Sequence, residues 1–283
     1  CVFLFSAAVV GLTVLTQKFC GFEFLRGRAL LDAALVSTGP FENQNSLAAY
    51  LACVIPIILA FSLYEWRKIV FKISVFLVAG LLILSSFWTF SRGGWLGLVV
   101  GLIFVILFVN YHRIKKIFWR FFLSSCILVP LMAIALLFCR NKIGSNNERL
   151  TIIHSAWGMI KEHPLLGKGI GTFMDYSSLY ANHVGGFYAH NCYLQIWAES
   201  GIFSLIAFIL LAGYVLYRSI KTILIMSVSL DRYILVGLTA GLMGFLVHAF
   251  FDVHFYSFQL SFLFWTVLGL AVALISTMRT PAA

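Results

Sequence analysis

Long apolar runs alternate with short polar segments along the whole chain, and most runs approach the ~20 residues that an α-helix needs to cross a bilayer. We interpret eight runs as spans, at about Val2–Leu15, Leu47–Tyr64, Ile73–Phe90, Trp95–Val109, Phe122–Phe138, Ile202–Tyr217, Ile234–Phe251 and Gln259–Ile275. The first run is short because the sequence opens inside it, at Cys1 and not at a methionine. We therefore expect an N-terminally truncated fragment.

The composition agrees with this pattern. Hydrophobic residues make up 61% of the 283 residues and charged residues only 11%, and the mean hydropathy is +0.98. A soluble domain of this size would need far more polar surface to cover its core. The sequence predicts an all-α polytopic membrane protein, with one membrane domain over residues 1–283 that forms a bundle of about eight transmembrane helices.

The net charge of +10 is divided unevenly between the two ends of this bundle. One end collects 11 of the 20 Lys and Arg residues, against only Glu65 and Asp231. They are Arg67, Lys68, Lys72, Arg113, Lys115, Lys116, Arg120, Arg218, Lys221, Arg232 and Arg279. Short loops rich in Lys and Arg stay in the cytoplasm, so the other end faces outward. Because topology accounts for the basic excess, nucleic acid is excluded as a partner.

Two long segments lie at the outward end, at about Gln17–Ser46 and at residues 139–200. The second contains "SNNERLTIIHSAWGMIKEHP", in which Ser145 and Glu148 have capping-box spacing and Pro164 closes the pattern. Apolar residues recur between them at helical spacing, at Leu150, Ile153, Trp157 and Ile160. This pattern predicts an amphipathic helix lying on the outer membrane face.

Three glycines in five residues follow this helix, in "LLGKGIGTF". They predict a turn, for which two roles are open. The turn brings backbone N–H groups close to an anion, or it serves only as a flexible link.

Arg92, in "FSRGGWLGL", lies in a short outer turn between two predicted spans. One interpretation is an interfacial arginine that reaches toward lipid phosphate. The other rests on Gly93, Gly97 and Gly101, which give the next span one small face for close helix packing. A guanidinium held against such a face, at head-group depth, suits bidentate binding of phosphate oxygens.

Arg149 and His190 are the other candidates at the outward end. Arg149 begins the predicted loop helix and is either a surface residue or a second cation for a pyrophosphate. His190 begins a predicted helix that runs into the next span, where Tyr193 and Trp197 would share its face. It is either part of an interfacial aromatic belt or a neutral imidazole that takes a proton from an attacking hydroxyl.

The segment "HAFFDVH" contains His248, Asp252 and His254. His248 and Asp252 are four residues apart and could face together at the outer end of a helix, where a metal site is conceivable. Because the sequence offers no fourth ligand, a hydrogen-bonded helix end is favoured over a metal site. Spacing does not decide whether a disulfide forms among Cys20, Cys139 and Cys192. Motifs for nucleotide binding, serine hydrolysis and zinc hydrolysis are missing from the sequence, so an enzyme of this shape needs a donor already in the membrane.

Four segments then carry a resemblance to a known family: "GPFENQNSLAAYLACVIPIILAF", "SRGGWLGL", "ERLTIIHSAWGMIKEHPLLGKGIGTF" and "AHNCYLQIWAESGIFSLIAFILL". In this order they resemble the O-antigen ligase family, whose shared region also occurs in O-antigen polymerases and protein O-oligosaccharyltransferases. The resemblance covers about Phe41–Gly269. Its most specific part is "HPLLGKGIGTF" followed by "AHNCYLQIWAESG". Asn43 and Asn45 match the family's N-x-N segment, without an assigned chemical role.

The resemblance implies a GT-C-like membrane glycosyltransferase with a large, partly helical periplasmic loop at residues 139–200. Such enzymes lie in the bacterial inner membrane and face the periplasm. They transfer a glycan from undecaprenyl pyrophosphate to an acceptor hydroxyl, which in ligases belongs to the lipid A core, without a metal or another cofactor. The family's roles map onto His190 as catalytic base and onto Arg92 and Arg149 as pyrophosphate ligands.

Two alternatives remain open for the activity. A polysaccharide polymerase would differ from a ligase only in its acceptor, which would be another lipid-linked glycan. A transporter of lipid-linked glycans would place charged residues deep inside several spans. The predicted spans carry few charges away from their ends, which favours an enzyme.

Overall fold

The computed structural model describes residues 2–29, 36–64, 69–109, 144–180 and 188–277, although not the side chains of residues 2, 28, 29 and 144–148. Within these ranges the chain forms nine α-helices and one short antiparallel hairpin. The elements are α1 (Val2–Cys20), β1 (Phe22–Glu23), β2 (Arg28–Ala29), α2 (Gln44–Ser62), α3 (Ile69–Phe87), α4 (Arg92–Val109), α5 (Gly144–Glu162), α6 (Phe173–Tyr176), α7 (Cys192–Ile225), α8 (Leu230–His248) and α9 (Phe258–Thr277).

Seven of the described helices are long and apolar enough to cross a membrane, namely all except α5 and α6. They correspond to seven of the eight predicted spans. The remaining predicted span, Phe122–Phe138, lies outside the described residues. The prediction of an all-α polytopic membrane protein is confirmed.

Contacts between helix ends show which ends lie together and so give the direction in which each helix runs through the bundle. Ser91, just before α4, lies next to His248 at the end of α8, with Oγ 3.3 Å from Nε2. At the other end, the buried guanidinium of Arg232 donates to the carbonyl oxygens of Phe108 and Val109, at 2.7 and 3.4 Å. We call the first end, where α2, α4, α7 and α9 begin, the site end of the bundle.

Helices α2, α4 and α8 form the tightest part of the core because small residues let their backbones approach closely. A Cβ atom added at Gly244 would lie 2.5 Å from the carbonyl oxygen of Ala52. One added at Gly97 would collide with the carbonyl oxygen of Gly244, and one at Gly101 would lie 2.7 Å from Pro56. The predicted small face on the α4 span is therefore confirmed.

Helix α5 confirms the predicted loop helix but not its details. It already includes Ser145, so the predicted capping box at this residue is wrong. The side chains that pack inward are Ile152, Ala156, Met159 and Ile160. Leu150 and Trp157 are 57% and 41% exposed, so part of the predicted apolar stripe faces away from the protein. An exposed apolar stripe suits contact with lipid, and the position of this helix on the membrane stays a prediction.

Helix α7 breaks at Gly201, where φ is +78°. The break admits the segment that follows α5, because a Cβ atom at Gly201 would collide with the carbonyl oxygen of Leu165. Three backbone bonds hold the two segments together. They run from Ile202 N to Pro164 O (3.1 Å), from Lys168 N to Ala198 O (3.0 Å) and from Gly169 N to Glu199 O (2.9 Å).

The N–H groups of the glycine turn after α5 bind a carboxyl group of the protein itself, that of Glu199. The buried carboxylate of Glu199 accepts hydrogen bonds from Gly171 N and Phe173 N, both at 3.0 Å. The side chain of Gln195 donates to the same carboxylate at 3.2 Å. The turn is therefore held in place by hydrogen bonds to a side chain, which argues against a flexible link, and binding of a separate anion by its N–H groups stays a prediction.

Candidate active site

A cavity of about 500 Å³ opens at the site end of the bundle. His190 and Asp252 form one part of its wall, and the start of α2, with Asn43 and Asn45, forms another. The aromatic rings of Tyr188 and Tyr256 also line the cavity. The volume lies within the ~300–1,000 Å³ that is typical of small-molecule sites.

His190 lies just before α7, and the helix begins two residues later at Cys192. The prediction that His190 begins this helix and shares a face with Tyr193 is wrong. The reason is Asn191, whose side-chain oxygen accepts the N–H groups of Tyr193 and Leu194, both at 3.0 Å, and so caps the helix. His190 itself has a φ of +50°, an uncommon backbone conformation for a residue with a side chain.

The His190 imidazole is held by Asp252, with Nδ1 3.1 Å from Oδ1. Burial raises the pKa of Asp252, but the hydrogen bond from His190 and the neighbouring imidazoles outweigh this and lower it to about 2. The carboxylate is therefore ionised and accepts, so Nδ1 of His190 carries the proton. In the neutral ring, Nε2 then has the free electron pair and is the basic atom.

Hydrogen bonds fasten the segment around His190 to the turn around Asp252. Cys192 N donates to Ala249 O at 2.8 Å, and Asn191 Nδ2 donates to Phe250 O at 3.2 Å. The Cys192 thiol donates to Asp252 O at 3.3 Å and accepts from the backbone N–H of His254 at 3.1 Å. This clasp fixes the distance between the imidazole and the carboxylate.

The cysteines named for a disulfide take no part in one where the structure describes them. Cys192 is a buried free thiol used in the clasp, and Cys20 is an exposed free thiol. Cys139 lies outside the described residues.

Neither Arg92 nor Arg149 is among the described residues that line the cavity. Arg92 is the first residue of α4, not part of the preceding turn as predicted, because Ser91 caps the helix by accepting the N–H of Gly94 at 3.3 Å. Arg149, in α5, lies within electrostatic range of His248. His248 also contacts Ser91, which precedes Arg92. The structure thus puts His190 in the cavity wall, Arg149 within electrostatic range of His248, and Arg92 directly after a residue that contacts His248.

The His248 and His254 rings stack near the cavity, with centroids 4.6 Å apart. Burial lowers the pKa of His254 to about 4, so its ring is neutral at physiological pH. Among the residues that the structure describes, no group of three or more His, Cys, Asp or Glu side chains is placed to hold a metal ion. Metal independence stays a prediction.

The pairing of His190 with Asp252 was missed by reasoning from the sequence. Four-residue spacing favours a pair between Asp252 and His248, but α8 ends at His248, so helical spacing does not continue to Asp252. The placement of Asn43 and Asn45 in the same cavity was also missed. Local patterns carry no signal for contacts between positions this far apart in sequence.

Helices of this length and composition define a multi-pass membrane protein. Residues 77–209 match the family model described as O-Antigen ligase. No curated protein matches the chain. The resemblance to the O-antigen ligase family is therefore confirmed, over a segment that includes Arg92, Arg149 and His190. Asn43 and Asp252 lie outside the matched segment, and the match supports a membrane glycosyltransferase-like activity in general terms.

Proposed function

We propose that this protein is an O-antigen ligase that transfers a glycan from undecaprenyl pyrophosphate to an acceptor hydroxyl at the periplasmic face of the bacterial inner membrane. The observation that carries the proposal is the hydrogen bond between His190 Nδ1 and Asp252 in the wall of a polar cavity. The family match, which covers His190, supports the same assignment. In this proposal the donor, a glycan linked to undecaprenyl pyrophosphate, reaches the protein from the bilayer.

In the proposed reaction His190 is the general base. The acceptor oxygen attacks the anomeric carbon, and Nε2 takes the hydroxyl proton as the new C–O bond forms. The bond between the anomeric carbon and the pyrophosphate oxygen breaks, and its electron pair leaves with undecaprenyl pyrophosphate. This direct displacement inverts the configuration at the anomeric carbon. Asp252 holds the ring in the tautomer that can accept the proton and stabilises the imidazolium that results.

Arg92 and Arg149 have the proposed role of holding the pyrophosphate as it leaves. Arg92 occupies the first position of α4, where the positive end of the helix dipole adds to the charge of the guanidinium. The charge that develops on the pyrophosphate would be stabilised at this position.

The acceptor separates a ligase from a polymerase. A ligase uses a sugar of the lipid A core, whereas a polymerase uses a second lipid-linked glycan. The polar cavity and the paired His190 and Asp252 fit both enzymes, and they argue against a transporter because they form a fixed site at one end of the bundle.

The test is glycan transfer by the purified protein in proteoliposomes that contain a lipid-linked donor and a lipid A core acceptor. We expect one acceptor-linked product of the donor's chain length, formed equally well with a metal chelator present. A ladder of products made from the donor alone would indicate a polymerase. No glycosidic product with either acceptor would overturn the proposal.

The pyrophosphate role is tested in the same assay with Arg92→Gln. Removal of a charged donor from a leaving group lowers turnover on the order of 10²-fold. The matched control is Arg26→Gln, since Arg26 is an exposed arginine at the same end of the bundle. Equal turnover in both variants would remove Arg92 from the mechanism.

A further inference from the structure

The wall of the cavity has a charge pattern that does not suit a pyrophosphate. Its described lining residues include the carboxylates of Glu42 and Asp252 but neither Lys nor Arg. Asp252 is already hydrogen-bonded to His190, and Glu42 is an exposed residue of the same wall. A pyrophosphate needs cations around it, so this space is better suited to an uncharged group.

Amide side chains supply the hydrogen-bonding groups of the same wall. Asn43, Gln44 and Asn45 line the cavity consecutively at the start of α2. The Asn43 side-chain oxygen accepts the N–H of Ser46 at 2.9 Å and caps the helix, which leaves its NH₂ group as a donor. Amides both donate and accept, as the hydroxyl groups of a sugar do.

Two tyrosines give the cavity an aromatic wall next to His190. The rings of Tyr188 and Tyr256 have centroids 4.9 Å apart and are tilted by 38°. Both line the cavity, and Tyr256 is 39% exposed. The faces of aromatic rings are electron-rich, so they attract the slightly positive C–H groups on the face of a pyranose ring. The wall therefore offers aromatic faces for the C–H groups of a sugar ring and amides for its hydroxyl groups.

We propose that this cavity binds an uncharged pyranose ring of the glycan, stacked on Tyr256 and Tyr188 and hydrogen-bonded by Asn43 and Asn45. The proposal rests on the proposed glycosyltransferase function, since it assigns the sugar to the space beside His190. The pyrophosphate is then held outside this cavity, near Arg92. Glu42 disfavours sugars that carry a carboxylate, because like charges repel.

Sugar binding is measured without any reaction, by saturation-transfer NMR on the full chain in detergent. The probes are the methyl glycosides of glucose, galactose, rhamnose and N-acetylglucosamine, with methyl glucuronoside as the anionic counterpart. We expect at least one neutral glycoside to receive saturation on the C–H protons of its ring. Tyr256→Ala reduces this signal about three- to tenfold, whereas Tyr217→Ala, which removes an exposed tyrosine at the other end of the bundle, leaves it unchanged.

The charge preference is tested with Glu42→Gln. The wild-type protein gives a weak signal with the glucuronoside, and Glu42→Gln raises it toward the neutral level. The proposal is overturned if no neutral glycoside gives a signal that depends on Tyr256, or if the glucuronoside already binds the wild-type protein as well as the neutral probes.

Transfer kinetics show which substrate supplies the ring. A Tyr256→Ala variant that raises the KM for the acceptor alone assigns the cavity to the acceptor sugar, and one that raises the KM for the donor alone assigns it to the donor sugar. Sugar binding that depends on Tyr256 in a protein without transfer activity would refute the proposed function and leave only the sugar-binding site of this inference standing. Transfer that needs His190 but is unaffected by Tyr256→Ala would refute this inference alone.

Discussion

At the scale of single residues, the proposed chemistry depends on which ring nitrogen of His190 carries the proton. Asp252 decides this, because an ionised carboxylate 3.1 Å from Nδ1 can only accept. An asparagine at the same position can donate its NH₂ group to Nδ1 and so favour the tautomer in which Nε2 holds the proton. The base would then be blocked without any loss of the imidazole.

We therefore predict that Asp252→Asn lowers turnover on the order of 10²- to 10⁴-fold, with little change in the KM of the donor. Initial rates of glycan transfer in proteoliposomes measure both quantities. Asp175→Asn is the matched control, because Asp175 is an exposed carboxylate in α6. If Asp252→Asn keeps wild-type turnover, the carboxylate does not position the base.

The same pair predicts a pH dependence of stability. The pKa of Asp252 falls from its ordinary 3.8 to about 2 in the folded protein, so the pair stabilises the fold above pH 4 and loses this effect as the pH falls toward 2. The difference in unfolding midpoint between the wild-type protein and Asp252→Asn should narrow as the pH falls from about 4 to about 2, as measured by thermal unfolding in detergent. A difference that widens on acidification would contradict this sign.

The sequence indicated the chemistry of His190 but not its partner. A histidine in a polar segment before an apolar run is visible in the sequence, and so is an asparagine suited to cap a helix. The contact with Asp252 depends on how α7 and α8 pack and on the clasp at Cys192, and no local pattern encodes this.

At the scale of elements, the packing of α2, α4 and α8 makes a sharp prediction about small residues. A Cβ atom at Gly244 would lie 2.5 Å from Ala52 O and 2.9 Å from Gly97 O, so Gly244→Ala must push backbones apart. We expect a loss of stability on the order of 1–3 kcal/mol. Gly269→Ala is the control, since the same atom there meets nothing within 4 Å. Unfolding midpoints in detergent compare the two, and equal midpoints would disprove tight packing at Gly244.

The break in α7 leads to a second prediction at this scale. Gly201→Ala introduces both a strained φ of +78° and a collision with Leu165 O, and it should release the segment after α5 from α7. Limited proteolysis of the purified protein should then cut between residues 144 and 180 several times faster than in the wild-type protein. Gly213→Ala, in the same helix with open space around it, serves as the control. Unchanged cleavage would show that Gly201 is not needed for this contact.

Sequence reasoning was most successful for these elements. Apolar runs predicted all seven described spans, because a bilayer imposes length and composition on any helix that crosses it. Prediction from the sequence was less accurate at the ends of the helices. Arg92 was predicted to precede α4 but is its first residue, and Ser145 was predicted to cap α5 but lies inside it. The first turn of a helix needs no apolar residues, so the apolar pattern does not mark where the helix begins.

At the scale of the whole molecule, the helices alternate so that His190, Asp252 and the start of α4 share one end, opposite the end with Arg232. Charge predicts that the site end faces outward. In a variant whose only cysteine is Cys20, which is exposed at the site end, a membrane-impermeant maleimide should label intact spheroplasts. In a variant that lacks all native cysteines and carries Lys221→Cys as its only thiol, labelling should require permeabilisation. The reverse pattern would place the site in the cytoplasm.

The most direct test of the account is the single-turnover rate of glycan transfer by His190→Ala, measured in proteoliposomes at saturating donor and acceptor. His154→Ala, which removes an exposed histidine of α5, is measured beside it. Loss of a general base predicts a rate lower by on the order of 10²- to 10⁴-fold in His190→Ala, with donor binding retained and the His154→Ala rate unchanged. A His190→Ala protein that transfers glycan at the wild-type rate would contradict the assignment of the base.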